Sequence, residues 1–171
     1  IAPNDFKFIS QDSGFSNAVR FATAATFTAS ATWHQIMFSF DSSDTGKRSV
    51  YVDGSLDSTV WVTYNNAAIL WTNGSDSKLV AGPAAVFPTN ASFCEVYIAM
   101  GQYIDLTDSA NRLKFRSAGN KPVYLGADGS LPTGVAPTVY LRNSFATFQN
   151  NLGSGGNFTA NGTLADDPSI P

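Results

Sequence analysis

Polar and apolar residues alternate over residues 33–40, and this two-residue period predicts a β-strand with one buried face. The polar segment 41–47 contains turn-forming residues and predicts a loop. A second alternating strand follows and ends at the turn dipeptide Asp53-Gly54. Residues 32–55 therefore predict a hairpin that fixes the register of the strands around it.

Shorter alternating runs predict further strands along the chain, separated by turns rich in Gly, Pro and Asn. These strands are expected near residues 4–10, 19–30, 60–64, 67–71, 92–104 and 138–142. Evenly spaced short strands are typical of an antiparallel sandwich or barrel. The fold class expected from the pattern is all-β.

One short helix is predicted near residues 107–116. Thr107 or Asp108 can cap its first turn, and apolar residues from Leu106 onward repeat at helical spacing. From residue 151 to residue 171 apolar side chains are scarce, which predicts an extended, partly ordered tail. Residues 1–150 are then expected to form a single domain.

The composition narrows the range of partners. Charged residues make up 13% of the chain and the formal net charge is −3, so the clustered positive surface that nucleic acid requires is absent from the sequence. No apolar run approaches the roughly 20 residues of a membrane span, so no membrane insertion is expected.

Few side chains offer catalytic chemistry, because His34, Cys94 and Glu95 are each the only residue of their type. A Ser-His-Asp triad would depend on His34, which is better interpreted as a strand-start residue. Cys94 has apolar neighbours and is expected to be a small buried hydrophobe. Glycoside hydrolysis needs two carboxylates that flank the scissile bond, and no acidic pair lies at i, i+2 on one strand. We therefore expect that the protein is not an enzyme.

Loop aspartates keep two alternatives open. Asp41, Asp44 and Asp53 could serve a glycan hydrolase in place of glutamate, although Asp is common in turns for backbone reasons. Asp41 and Asp44, or Asp128, could also contribute oxygen ligands to a structural calcium ion. Their spacing is not that of a complete calcium loop, so no metal site and no cofactor is assigned.

Three aromatic residues are candidates for ligand binding. Trp61, Tyr64 and Trp71 fall on consecutive predicted strands close to several asparagines. Aromatic faces combined with amide groups are suited to sugars. The alternative is that the three rings pack in the core or between subunits.

The hairpin segments WHQIMFSFD and GKRSVYVDGS resemble the laminin-G-like or concanavalin-A-like jelly roll. The later segments EVYIAMGQYIDLTDSANRLKF, KPVYLGADGSLPTGVAPTVYL and GSGGNFTANGTL resemble the version of this module found in bacteriophage virion proteins. The resemblance spans about residues 30 to 165. The hairpin is shared by many lectin-like sandwiches, and the order of all the segments is more specific.

The resemblance implies an antiparallel two-sheet jelly-roll sandwich that acts as a structural, decoration or adhesion module of a virus particle. Its partners would be copies of itself or other virion proteins, and a lectin-like domain for a host surface glycan is the alternative. Such domains usually have more strands upstream than the roughly 30 residues before Trp33 provide. We therefore expect a partner to cover the exposed sheet edge.

Overall fold

The computed structural model describes residues 4–28, 32–69, 92–119, 121–160 and 163–166. Its strands are β1 (Asp5–Gln11), β2 (Asn17–Thr26), β3 (Ile36–Asp41), β4 (Asp44–Val52), β5 (Ser55–Leu56), β6 (Val60–Tyr64), β7 (Val96–Ile98) and β8 (Val139–Leu141). The one α-helix of this part, α1, comprises Ser109–Arg112, and Phe145–Thr147 form a 3-10 turn. The described chain is all-β, with antiparallel sheets and one short helix. No helix in it is long and apolar enough to cross a membrane.

Within the described residues the strands form three sheets, in the orders β1-β2-β6, β3-β4-β5 and β7-β8. Contacts divide the chain into two compact units, where the sequence pattern had suggested one domain over residues 1–150. The first unit contains residues 1–30 and 38–91, and the second contains residues 31–37 and 92–171.

The first unit has an aromatic core. Phe21 is fully buried at the centre of β2, and its ring lies 5.5 Å from Phe8 and 5.2 Å from Phe38. Phe38 belongs to the neighbouring sheet, so these contacts join the inner faces of two sheets within the unit. Aromatic pairs at such distances add to the free energy of burial. The alternation of Phe along β1 and β3, together with the single Phe21 of β2, is thus the origin of this core.

The central hairpin forms with a shorter loop than expected. β3 ends at Asp41 and β4 begins at Asp44. The prediction of a loop over residues 41–47 is therefore wrong from residue 44 onward, where the chain already belongs to β4. The side chains from Asp44 to Lys47 are exposed, which explains why they look like a loop in the sequence. The predicted turn at Asp53-Gly54 is confirmed. Both residues have positive φ, at 51° and 80°, as a two-residue type I′ turn requires.

Several predicted elements are shorter than expected. The helix expected over 107–116 is a single turn, because Ala110 and Leu113 are exposed and provide no apolar face. Its cap is confirmed, since the Asp108 carboxylate accepts a hydrogen bond from the Ala110 N–H at 2.8 Å. The strand expected over 92–104 is reduced to β7. No strand forms over 67–69, and the remainder of the predicted strand 67–71 lies outside the described residues.

The second unit packs a glycine-rich segment directly against the strand β8. The N–H groups of Leu152, Ser154 and Gly155 donate to carbonyls of residues 137–140. The Asn151 side chain also accepts from the Tyr140 N–H at 2.8 Å. The beginning of the predicted tail is therefore hydrogen-bonded to the unit. A Cβ atom on Gly153 would lie 2.4 Å from the Pro137 carbonyl oxygen, so only glycine fits there.

Replacement of Gly153 by alanine should destabilise the second unit by about 1–3 kcal/mol, because the methyl group overlaps a backbone oxygen that cannot move freely. Gly156→Ala is the matched control, since nothing lies within 4 Å of a Cβ at that position. Urea unfolding of both variants measures the difference. Equal stabilities of the two variants would contradict the close approach.

Candidate functional site

Trp61 and Tyr64, two of the three aromatic candidates, come together at the edge strand of the first sheet. Their rings meet edge to face at 5.4 Å on β6. Trp61 also lies 4.8 Å from Phe21, so its ring belongs partly to the aromatic core. The third candidate, Trp71, lies outside the described residues.

Arg48, which the sequence did not single out, completes this cluster. Its guanidinium carbon lies 5.2 Å from the Trp61 ring centre and 4.8 Å from the Tyr64 ring centre. Arg48 comes from β4, which no local sequence pattern places beside β6. A guanidinium at these distances is attracted to the negative faces of both rings. The aromatic surfaces that a sugar would use are thus engaged within the protein.

The polar atoms around Trp61 and Tyr64 are engaged as well. The Tyr64 hydroxyl donates to the Asp41 carbonyl oxygen at 2.6 Å. Burial raises the pKa of the Tyr64 hydroxyl, and the nearby Asp41 and Asp44 carboxylates add to the rise that Arg48 opposes. Asn65, a candidate hydrogen-bonding group for a sugar, donates to the Asn17 carbonyl at 3.3 Å.

The two aspartates proposed for calcium already face a cation. The Lys47 ammonium lies 3.5 Å from Asp41 and 3.8 Å from Asp44. The Asp41 carboxylate also accepts from the Ser43 hydroxyl at 2.6 Å, and this bond is the main cause of its lowered pKa. Within the described residues no group of three His, Cys, Asp or Glu side chains could hold a metal ion.

Other aspartates stabilise turns and strand ends. The Asp128 carboxylate accepts from the Ser130 N–H at 3.0 Å, and that of Asp105 accepts from the Thr107 hydroxyl at 2.6 Å. The side chain of Asp53, the third hydrolase candidate, belongs to the positive-φ turn between β4 and β5. These aspartates have the backbone roles expected of turn residues.

The Asp57 carboxylate also stabilises the backbone, and it does so with three hydrogen bonds. Its two carboxylate oxygens accept from the Ala24 and Ala25 N–H groups, each at 2.9 Å, and from the Thr59 hydroxyl at 2.6 Å. This carboxylate therefore ties the end of β2 to the segment before β6. Burial opposes its charge, but the three hydrogen bonds prevail and lower the pKa of Asp57.

His34 and Cys94 are the two remaining side chains that were considered for catalysis. His34 is exposed and precedes the first residue of β3, so its position fits a strand-start residue. Cys94 is half-buried, and burial together with the Glu95 carboxylate raises the pKa of its thiol. A raised thiol pKa disfavours the thiolate that nucleophilic chemistry requires.

Asp57→Asn should lower the free energy of unfolding by about 1–2 kcal/mol at neutral pH, because one acceptor oxygen and the charge are lost. A lowered carboxyl pKa contributes stability above the ordinary Asp pKa, and that stability disappears as pH falls through the folded value. The gap between wild type and variant should thus be complete above about pH 4 and shrink below it.

Urea unfolding at neutral and acidic pH measures this gap, with the exposed Asp166→Asn as the matched control. A gap that is the same at both pH values would contradict the role given to the Asp57 carboxylate. So would an equal loss of stability in the control.

Comparison with known proteins identifies no relative. No family model matches the chain, and no curated protein or solved structure matches it either. The resemblance to a laminin-G-like phage module consequently stays a prediction.

Proposed function

We propose that the chain is a non-enzymatic structural module of a virus particle. In this proposal its strands belong to a jelly-roll sandwich, and it assembles with copies of itself or with a neighbouring virion protein. The virion setting and the jelly roll rest on the sequence resemblance. The mode of assembly rests on the outer face of the β1-β2-β6 sheet, the face opposite the aromatic core.

The register of the three strands defines this outer face. Phe8 and Trp61 both pair with Phe21 and point with it into the core, so their neighbours along each strand point outward. Ile9 pairs with Arg20 on the outer face, and Val60 pairs there with Ala22.

Apolar side chains on and beside this face are exposed. Ile9 is 54% exposed and Val60 is 56% exposed. Val62, the extra residue where the β2-β6 register shifts, is 46% exposed. Apolar side chains that share one sheet face, rather than being scattered singly, are typical of surfaces that bind another protein. This exposed face is the observation that carries the proposal.

Two charged side chains, Arg20 and Lys7, lie on the outer face together with the exposed aliphatic residues. Arg20 is half-buried between Ile9 and Thr63 in the register. Lys7 pairs with Ala22 across the strands, and its ammonium contacts the Asp5 carboxylate. Arg20 therefore lies on the central strand, between the exposed aliphatic side chains of β1 and β6, and arginine is enriched in protein interfaces.

The contacts that the aromatic rings and the aspartates already make within the chain favour assembly over sugar binding and over glycan hydrolysis. Arg48 and the core take up the ring faces of Trp61 and Tyr64, which reduces the support for sugar binding. Of the aspartates considered for hydrolysis, Asp41 and Asp44 accept from turn N–H groups and face Lys47, and Asp53 lies in a positive-φ turn. A hydrolase requires a free pair of carboxylates that flank its substrate.

Val60→Lys should weaken self-association by about tenfold, because placing a charge in an apolar contact between two chains costs about 1.4 kcal/mol or more. Sedimentation velocity over a range of concentrations measures the association of wild type and variant. Val135→Lys, at a residue equally exposed but in the second unit, is the matched control and should leave association unchanged.

A wild-type chain that stays monomeric at every concentration and binds a defined glycan would contradict this proposal. Circular dichroism of each variant establishes that the strands are intact. Equal weakening by Val60→Lys and Val135→Lys would also contradict it, because the outer sheet face would then have no special role.

A further inference from the structure

The turn between β1 and β2 has a phenylalanine at the position where such hairpins ordinarily have glycine. The N–H of Asp12 donates to the Ser16 carbonyl oxygen at 2.9 Å, and that of Phe15 donates to the Asp12 carbonyl oxygen at 3.0 Å. Residues 13–15 therefore form a three-residue loop, whose third residue adopts the left-handed conformation that favours glycine. Phe15 is this third residue and has a φ of 59°, whereas the adjacent Gly14 does not have positive φ.

Phe15 is unfavourable in the free chain for two reasons. The left-handed conformation is costly for a bulky residue, because its Cβ atom comes close to the following carbonyl oxygen. Phe15 is also 62% exposed, so burial within the chain does not compensate for that cost. The core phenylalanines Phe8 and Phe21, in contrast, stack on each other. A contact with a second molecule would make Phe15 favourable.

Side-chain hydrogen bonds hold this turn in one conformation. The Asp12 Oδ1 atom accepts from the N–H groups of Gly14 and Ser16, at 2.9 Å and 3.0 Å. The Gln11 side-chain amide donates to the Phe15 carbonyl oxygen at 2.9 Å. Phe15 is therefore held by a preorganised turn. A preorganised aromatic side chain loses little conformational entropy when a partner covers it.

The outer face of the β1-β2-β6 sheet offers a surface that fits such a ring. Among the described residues Arg20 of this face forms no ion pair, and its guanidinium lies over no aromatic ring. A guanidinium attracts the negative face of an aromatic ring. The exposed aliphatic side chain of Ile9, which pairs with Arg20 in the register, can cover the remainder of the ring.

Phe15 and this outer face lie close enough to belong to one interface. Phe15 and Arg20 are separated by five residues, which corresponds to about 15 Å along the hairpin. An average interface of about 800 Å² on each partner is roughly 30 Å across. Two copies related by a two-fold axis can therefore exchange the same contact, since such an axis brings identical patches together.

We propose that Phe15 is the aromatic anchor of self-association, and that the Phe15 ring of each copy packs against Arg20 and Ile9 on the outer face of a second copy. This inference rests on the proposed assembly through the outer face and adds the residue that makes the contact specific. A second copy is the partner because the ring and the surface that fits it belong to the same sheet.

Phe15→Gly distinguishes an anchor from a residue that serves the fold, because the two roles predict opposite effects. Glycine relieves the left-handed conformation, so the urea midpoint of the variant should equal or exceed that of the wild type. Sedimentation velocity should show self-association weakened by about tenfold or more, because an anchor contributes much of the binding energy. Phe15→Trp keeps an aromatic ring and should retain most of the association.

Phe145→Ser is the matched control, since Phe145 is also exposed but belongs to the second unit, and association should be unchanged. Arg20→Gln should weaken association as Phe15→Gly does. The double variant Phe15→Gly with Arg20→Gln should lose less than the product of the two single effects, because a shared contact can be lost only once.

Isotope-filtered NMR on a mixture of labelled and unlabelled full chains tests the contact directly. Signals should connect the Phe15 ring of one copy with the Ile9 methyl groups of the other.

An associating chain that Val60→Lys weakens and Phe15→Gly does not would overturn this inference and leave the proposed function standing. A wild-type chain that is monomeric at every concentration would overturn both. A urea midpoint of Phe15→Gly well below that of the wild type would also overturn the inference, because Phe15 would then serve the fold.

Discussion

Phe21 is the side chain on which the architecture of the first unit depends. It is fully buried, and its ring lies within 6.3 Å of the rings of Phe6, Phe8, Phe38 and Trp61. Burial of a large aromatic ring in such surroundings typically stabilises a fold by about 3–5 kcal/mol relative to alanine. It also fixes the register of β1 and β6 on either side of β2. This register in turn determines which face of the sheet each of the other side chains points to.

This register separates two kinds of surface in the first unit. Trp61 and Tyr64 lie on the inner face, where Arg48 contacts both of their rings. The outer face leaves Ile9 and Val60 exposed. On this sheet the aromatic rings of Trp61 and Tyr64 are used for packing and aliphatic side chains are exposed, and this arrangement supports the proposed contact with another protein more than sugar binding.

Charged side chains in both units mainly hold the backbone in place. Asp57 binds the end of β2, and Asp108 caps the short helix. In the second unit Glu95 and Arg142 form an ion pair beside the Val96–Leu141 pair of β7 and β8. A chain with 13% charged residues has few such groups, and the structure assigns most of the aspartates in its described part to turns.

Local patterns were sufficient to predict the all-β class, the first strand, the Asp53-Gly54 turn and the Asp108 cap. Each of these depends only on residues that are close in the sequence. Alternation predicts strands, a dipeptide that accepts positive φ predicts the turn, and a carboxylate at the first helical turn predicts the cap. The helix was overextended because Ala110 and Leu113 have helical spacing but no core to face.

Contacts between distant strands could not be predicted. Arg48 meets Trp61, and Arg142 meets Glu95, only through sheet registers that no local pattern encodes. The close packing of Gly153 on the Pro137 carbonyl was missed for the same reason, since a segment rich in Gly and Ser resembles a tail.

The most direct test of the account is NMR of the full chain with labelled isoleucine and valine methyl groups, recorded over a dilution series. The methyl signals of Ile9, Val60 and Val62 should shift or broaden as concentration rises, while those of the buried Val19 stay constant. Constant signals from all three exposed methyl-bearing residues, together with shifts at Trp61 and Tyr64 on addition of a glycan, would contradict the account.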